Sequence, residues 1–136
     1  MDKTNIDGLI LTKENQFHNE QGSIFHFLKK SNINFTQFGE VYFSTIYKNV
    51  EKGWRLHKLA TSNIVVISGR IEFTFEDPRP NSSSYNFTKK ILLSPENYHR
   101  ITIPPGIWWK FKGLDSLNIL SNFSDLEHDP KESISR

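Results

Sequence analysis

Three side chains able to do polar chemistry stand together in Gly53-Trp-Arg-Leu-His-Lys58: Arg55, His57 and Lys58. An unperturbed imidazole titrates near pH ~6.5, close to where proton transfer at neutral pH works best. His57 is therefore the candidate general base or acid, and a single hydrogen-bonded surface or core histidine is the plainer alternative. A guanidinium stays charged and presents its donors in a fixed fork, which suits a phosphate or a keto oxygen. Arg55 is the candidate for that work, with a salt bridge on a solvated strand as its structural counterpart. A second stretch, Ile103-Pro-Pro-Gly-Ile-Trp-Trp-Lys-Phe111, supplies flat rings on which a base or sugar face can stack.

These residues need strands to aim them. Side chains alternate along a strand, so Arg55 and His57 project from one side of 54–58 while Trp54, Leu56 and Lys58 project from the other. The same rule puts Trp109 and Phe111 on one side of their strand and leaves Trp108 opposite, assigned to core packing. Asn63 to Ser68 is a continuous apolar strand, Gly69-Arg70 a tight turn, and Ile71 to Glu76 alternates cleanly, which predicts a hairpin. Further strands are predicted at Ile6–Leu11, Ser23–Leu28, Glu40–Tyr47, Tyr85–Leu93, Tyr98–Ile103 and Leu117–Phe123. Asp77 to Ser84, with two prolines and a run of small polar residues, reads as a loop. Asp125 to Arg136 reads as a polar tail. About ten short strands at spacings near ten residues, with no amphipathic helix, predict an all-β antiparallel sandwich or barrel, and a jelly roll suits the long loop best.

Composition narrows the function classes. With 136 residues, one domain spanning 1–136 is expected. The 17 basic and 15 acidic residues are interspersed, giving no stripe for nucleic acid. No apolar run approaches membrane-spanning length, and Met1 to Gly8 lacks the apolar core of a signal peptide. The absence of cysteine excludes disulfides and thiolate metal sites, and fits a reducing, cytoplasmic compartment. His18, His26, His99 and His128 show no ligand spacing with His57, so no metal site is expected.

Several motifs then fall in order. Glu40-Val-Tyr-Phe-Ser-Thr, Lys52-Gly-Trp-Arg-Leu-His-Lys58, Asp77-x-Arg79, Ile103-Pro-Pro-Gly-Ile-Trp108, Phe111-Lys-Gly113 and His128-Asp-Pro-x-Glu132 together resemble the dTDP-4-dehydrorhamnose 3,5-epimerase family, in its short branch. A second, less extensive resemblance is to the ketoisomerases that interconvert 3-keto and 4-keto sugars on dTDP. The resemblance implies a cupin jelly roll, a homodimer, and a nucleotide-linked 4-keto-6-deoxy sugar as substrate, with no metal or organic cofactor. It implies a histidine base that removes the proton next to the keto group, a lysine or other donor for the enolate, and a tyrosine that returns a proton from the other face. His57 matches the base. Arg79 matches a diphosphate contact, and Arg55, Asn63, Trp109 and Phe111 complete the expected substrate-binding set.

Four positions depart from the family pattern. Asn63 stands where a lysine opens the strand after the histidine, and Trp109 where a histidine is usual. Leu117 to Phe123 contains no tyrosine, and Arg55 replaces the first histidine of the His-x-His turn. Two function classes follow: an epimerase-like cupin, or a non-catalytic nucleotide-sugar-binding cupin that lost its second acid. Asp77 and Glu72 are the candidates for a carboxylate that orients His57.

Overall fold

Thirteen β-strands and no helix make up residues 2–136, the residues that the computed structural model describes. In chain order they are Asp2–Lys3 (β1), Ile10–Lys13 (β2), Gln16–Asn19 (β3), Gly22–Phe25 (β4) and Glu40–Tyr47 (β5). Then come Glu51–His57 (β6), Ser62–Ser68 (β7), Ile71–Glu76 (β8) and Thr88–Leu93 (β9). His99–Ile103 (β10), Trp108–Gly113 (β11), Leu117–Ser124 (β12) and Ser133–Ser135 (β13) complete the set. Six strands form one sheet in the order β1-β2-β10-β7-β12-β5, and five form a second in the order β13-β6-β11-β8-β9. β3 and β4 form a separate hairpin. The result is the expected all-β jelly roll. Among the described residues no helix is long and apolar enough to cross a membrane.

Alternation writes the core. Ile71, Phe73 and Phe75 of β8 are buried, and so are Trp109 and Phe111 of β11. They meet Ile64 and Val66 of β7, Ile101 and Ile103 of β10, and Leu120 of β12 from the other sheet. The rings of Trp109 and Phe111 stack with centroids 5.8 Å apart, and Phe73 packs behind both. At about 25 cal/mol per Å² of buried apolar surface, these rings dominate the local stabilisation.

The predicted hairpin of β7 and β8 is not formed. The two strands lie in different sheets, and Gly69-Arg70 carries the chain from one to the other. Their apolar faces meet across the core instead of pairing edge to edge. Gly69 turns there at a φ of 78°, and a side chain would collide with Asn118, whose Oδ1 accepts the Arg70 N–H. Three strands are shorter or later than predicted. The chain turns at 6–8 before β2, β4 ends at Phe25, and β9 begins only at Thr88, because 82–87 is folded back by hydrogen bonds onto Asp77.

Asp77 is the buried centre of the 77–84 loop. Arg79 Nε, Arg79 Nη2, and the hydroxyls of Ser82 and Ser84 all donate to its carboxylate. Burial pushes this carboxyl up, but those hydrogen bonds outweigh it and hold it well below the ordinary carboxylate range. A carboxyl depressed in the folded state stabilises above its unfolded value, near pH ~3.9, and that contribution disappears as pH falls. Asp77→Asn is therefore expected to cost about 3 kcal/mol at pH 7. Urea midpoints of the variant and the parent should differ by a constant amount above about pH 5 and begin to converge only as pH falls below the unfolded value of ~3.9.

Candidate active site

A cavity of about 660 Å³ opens between the sheets, within the range of small-molecule sites. Glu40 and Tyr42 of β5, Ser62 of β7, and Asn122 and Ser124 of β12 line the wall from the six-stranded sheet. Lys52, Arg55 and His57 of β6, with Trp109 and Phe111 of β11, line the wall from the five-stranded sheet. Residues 126–129, with Glu132 and Ser133, border it as well.

His57 is held at both ends. Its backbone carbonyl accepts the Gly106 N–H at 2.7 Å, so the Pro-Pro-Gly turn pins the strand at this residue. Its ring Nδ1 lies 2.7 Å from Glu132 Oε1. Glu132 Oε2 in turn accepts the N–H groups of Leu59 and Ala60, each at 2.9 Å. Burial raises the Glu132 carboxyl, but the His57 contact and the two backbone donors together hold it below its ordinary value. The ionised carboxylate is acceptor only, so Nδ1 carries hydrogen and the neutral ring has its lone pair on Nε2. That arrangement prepares a base.

The orienting carboxylate is therefore neither Asp77 nor Glu72. Asp77 is committed to Arg79, and Glu72 faces Lys90 on β9. Glu132 arrives from the segment expected to be a polar tail, because β13 adds to the edge of β6 with Ser133 opposite His57. The His128-Asp-Pro-x-Glu132 motif was the available sequence signal.

Lys52 was missed for a different reason. The ladder between β6 and β11 slips at Trp109/Lys110: Trp109 faces Arg55, but Lys110 faces Gly53 and Phe111 faces Lys52. Trp54 is the extra residue, and such a bulge reverses the alternation before it. Lys52 thus joins Arg55 and His57 on the cavity side. Gly53, at a φ of 113°, is needed because a Cβ would stand 2.8 Å from the Lys110 Cα.

Tyr42 supplies a phenol on the opposite wall from His57. Asn122, its cross-strand partner on β12, donates to the hydroxyl at 2.8 Å. Desolvation raises this phenol above its ordinary value and prevails over the Asn122 hydrogen bond and the Arg55 charge, which lower it; Glu40 adds to the rise. Tyr42 is thus protonated at neutral pH. No tyrosine is present on β12, but the strand beside it carries one into the cavity. Two buried polar atoms of wall residues, Trp109 Nε1 and Asn122 Oδ1, have no hydrogen-bond partner among the described residues.

Of the residues expected to bind substrate, Arg55, Trp109 and Phe111 line the cavity beside His57. Trp109 belongs to its wall and leaves it open. Asn63 does not reach it: the Asn63 side chain lies on the outer face of β7, accepting from Arg100 Nη1 and from Thr102 Oγ1 at 2.6 Å. Its neighbour Ser62 faces inward instead. Arg79 is outside the cavity too, tied to Asp77 and to the Asp7 carbonyl and packed beside Gly106. Trp108, assigned to the core, is half-buried on the outer face with the Arg136 guanidinium over its ring. Among the described residues no three of His, Asp and Glu gather as a metal-binding group.

Neither a protein-family model nor a curated protein matches the sequence. Solved structures do. A dTDP-sugar isomerase from Desulfovibrio desulfuricans superposes with a TM-score of 0.93 at 30% identity, over 97% of this chain and 85% of that one. A dTDP-6-deoxy-D-glucose-3,5-epimerase from Legionella pneumophila, solved with dTDP-4-keto-L-rhamnose, gives 0.87 at 21% identity over 97% and 74%. A dTDP-4-dehydrorhamnose 3,5-epimerase from Elizabethkingia anophelis gives 0.84 at 20% identity over 98% and 78%. The last two share the fold. The first, at its identity and coverage, also fixes the kinship that the ordered motifs indicate: the chain belongs to the dTDP-4-dehydrorhamnose 3,5-epimerase family of cupin-fold dTDP-sugar epimerases and isomerases.

Proposed function

We propose that the protein epimerises or isomerises a dTDP-linked 4-keto-6-deoxy sugar by proton transfer at a carbon next to the keto group. The observation that carries this reading is a pair of proton-transfer groups on facing walls of one cavity. His57, oriented by Glu132, stands on one wall, and Tyr42, held by Asn122, stands on the other.

The steps balance without a redox partner. His57 Nε2 takes the proton, and the electron pair moves into the carbonyl to form an enolate. Arg55, on the same strand as His57, supplies positive charge for the enolate oxygen. Tyr42 then gives its proton to the same carbon from the other face, inverting it. The phenolate left behind is stabilised by the Asn122 N–H and the Arg55 charge until solvent reprotonates it. The imidazolium returns its proton to solvent. Lys52 is the cation for the diphosphate, and the Trp109–Phe111 stack receives a flat face of the ligand. Two copies are proposed to associate, supported by the exposed Val41, Phe43 and Tyr47 along β5, an edge strand.

The test is NMR of a dTDP-4-keto-6-deoxyhexose incubated with the protein in deuterated water. Deuterium is expected at the carbon next to the keto group, together with an epimerised or isomerised product. Tyr42→Phe is expected to keep exchange by way of His57 while formation of inverted product falls about 100-fold. Wild-type product formation by this variant would remove Tyr42 from the mechanism. Tight binding with no exchange in the parent protein would favour a non-catalytic nucleotide-sugar binder.

A further inference from the structure

We infer that Arg136 is a positioning residue for the His57–Glu132 pair, an inference that rests on the catalytic reading above. β13 is only three residues long and pairs with one strand, through Ser133–His57, Ile134–Leu56 and Ser135–Arg55. A strand so short at a sheet edge has little stability of its own. Yet the segment that leads into it carries Glu132, and the Glu132 carboxylate must stay 2.7 Å from the His57 ring.

What holds the far end is one side chain. The Arg136 guanidinium lies 4.4 Å from the centroid of the Trp54 ring and 4.8 Å from that of Trp108, and its Nη2 donates to Glu76 Oε1 at 2.7 Å. Trp54 belongs to β6, Trp108 to β11 and Glu76 to β8, so one cation bridges three strands of the sheet on its outer face. Two rings and a carboxylate recognise a planar guanidinium better than an ammonium, because it stacks and forms directed hydrogen bonds together. The bulge at Trp54 serves both faces of the sheet. It turns Lys52 into the cavity, and its extra residue, Trp54, provides a platform for the latch.

Glu132 is anchored at its own end by its carbonyl, which accepts the Lys58 N–H at 2.8 Å, and by the Leu59 and Ala60 donors. Removing Arg136 should therefore let 133–135 fray while Glu132 stays attached at Lys58, Leu59 and Ala60, so that its Oε1 loosens its aim at the His57 ring without releasing the segment. The effect falls first on the orientation of His57, and more weakly on Arg55, whose Nη1 donates to Ser133 Oγ at 3.0 Å.

The experiment compares Arg136→Ala, Arg136→Lys and Glu76→Gln in the full chain. Arg136→Ala is expected to lower kcat about five- to tenfold with a smaller rise in KM for the dTDP-sugar, in line with the loss of two cation–π contacts and an ion pair. Lysine should restore part of the loss, and Glu76→Gln should show a smaller decrease of the same sign. The second readout needs no substrate: ring 15N shifts of His57 should move away from a pure Nδ1–H tautomer, and amide exchange at 133–135 should quicken. Wild-type kcat together with an unchanged His57 spectrum in Arg136→Ala would overturn the inference. Since the spectrum can be read in a protein that turns nothing over, failure of the latch and failure of the proposed reaction are separable. If Arg136→Ala does not fold, Glu76→Gln carries the test by the same readouts, and an unchanged kcat and spectrum there overturns it.

Discussion

With His57 replaced by asparagine, proton exchange next to the keto group of a dTDP-4-keto-6-deoxyhexose is expected to slow by about 10³-fold. The loss should fall on kcat. Arg55, Lys52, Trp109 and Phe111 remain on the wall, so the sugar nucleotide still binds and KM changes little. Asparagine keeps a donor on a shorter side chain but has no basic nitrogen with a free lone pair. The backbone clamp from Gly106 is untouched, so the fold should hold, and thermal melting checks this. Exchange by NMR in deuterated water is the measurement. Full activity in His57→Asn would move the base elsewhere, and His128, which also borders the cavity, would be the next residue to replace.

The sequence made the strands and the two functional strands' cavity-facing residues legible wherever one side of a strand is clearly apolar. Glu40–Tyr47 is a strand with the bounds expected, Arg55 and His57 do share a wall, and Trp109 and Phe111 do face inward. Legibility failed where the physical cue was missing. β7 is buried on both faces, so its continuous apolar run gave no alternation to show that Ser62, and not Asn63, turns inward. A tight turn after β7 signalled a change of direction but could not show a change of sheet. Lys52 lies beyond a bulge, where period-two counting from Arg55 assigns it to the wrong side. Tyr42 was visible as part of an alternating strand, but its role depends on which strand lies beside β12. Glu132 lies 75 residues from His57 along the chain, and only the addition of β13 to the edge of β6 brings them together.

The same separation makes Glu132→Gln the sharper test of the pair. The substitution is nearly isosteric, and the side chain should still be held by the Leu59 and Ala60 N–H groups. Both are donors, so they capture the amide oxygen and turn the NH₂ towards His57 Nδ1. The ring must then accept at Nδ1, which moves its hydrogen to Nε2 and takes the lone pair away from the cavity. A fall in kcat of about 100-fold is expected, with little change in KM, and His57 15N shifts should report the reversed tautomer. Stability should fall by about 1–3 kcal/mol at pH 7, because an ionised acceptor of three hydrogen bonds becomes neutral. That penalty has a sign in pH. The Glu132 carboxyl is held below its ordinary value of ~4.3, so its contribution is present above that pH and is lost as pH falls. Parent and variant should differ most at neutral pH and draw together in acid. A variant that loses stability but keeps wild-type kcat and the Nδ1–H tautomer would leave Glu132 as a fastener of β13 and remove it from the chemistry.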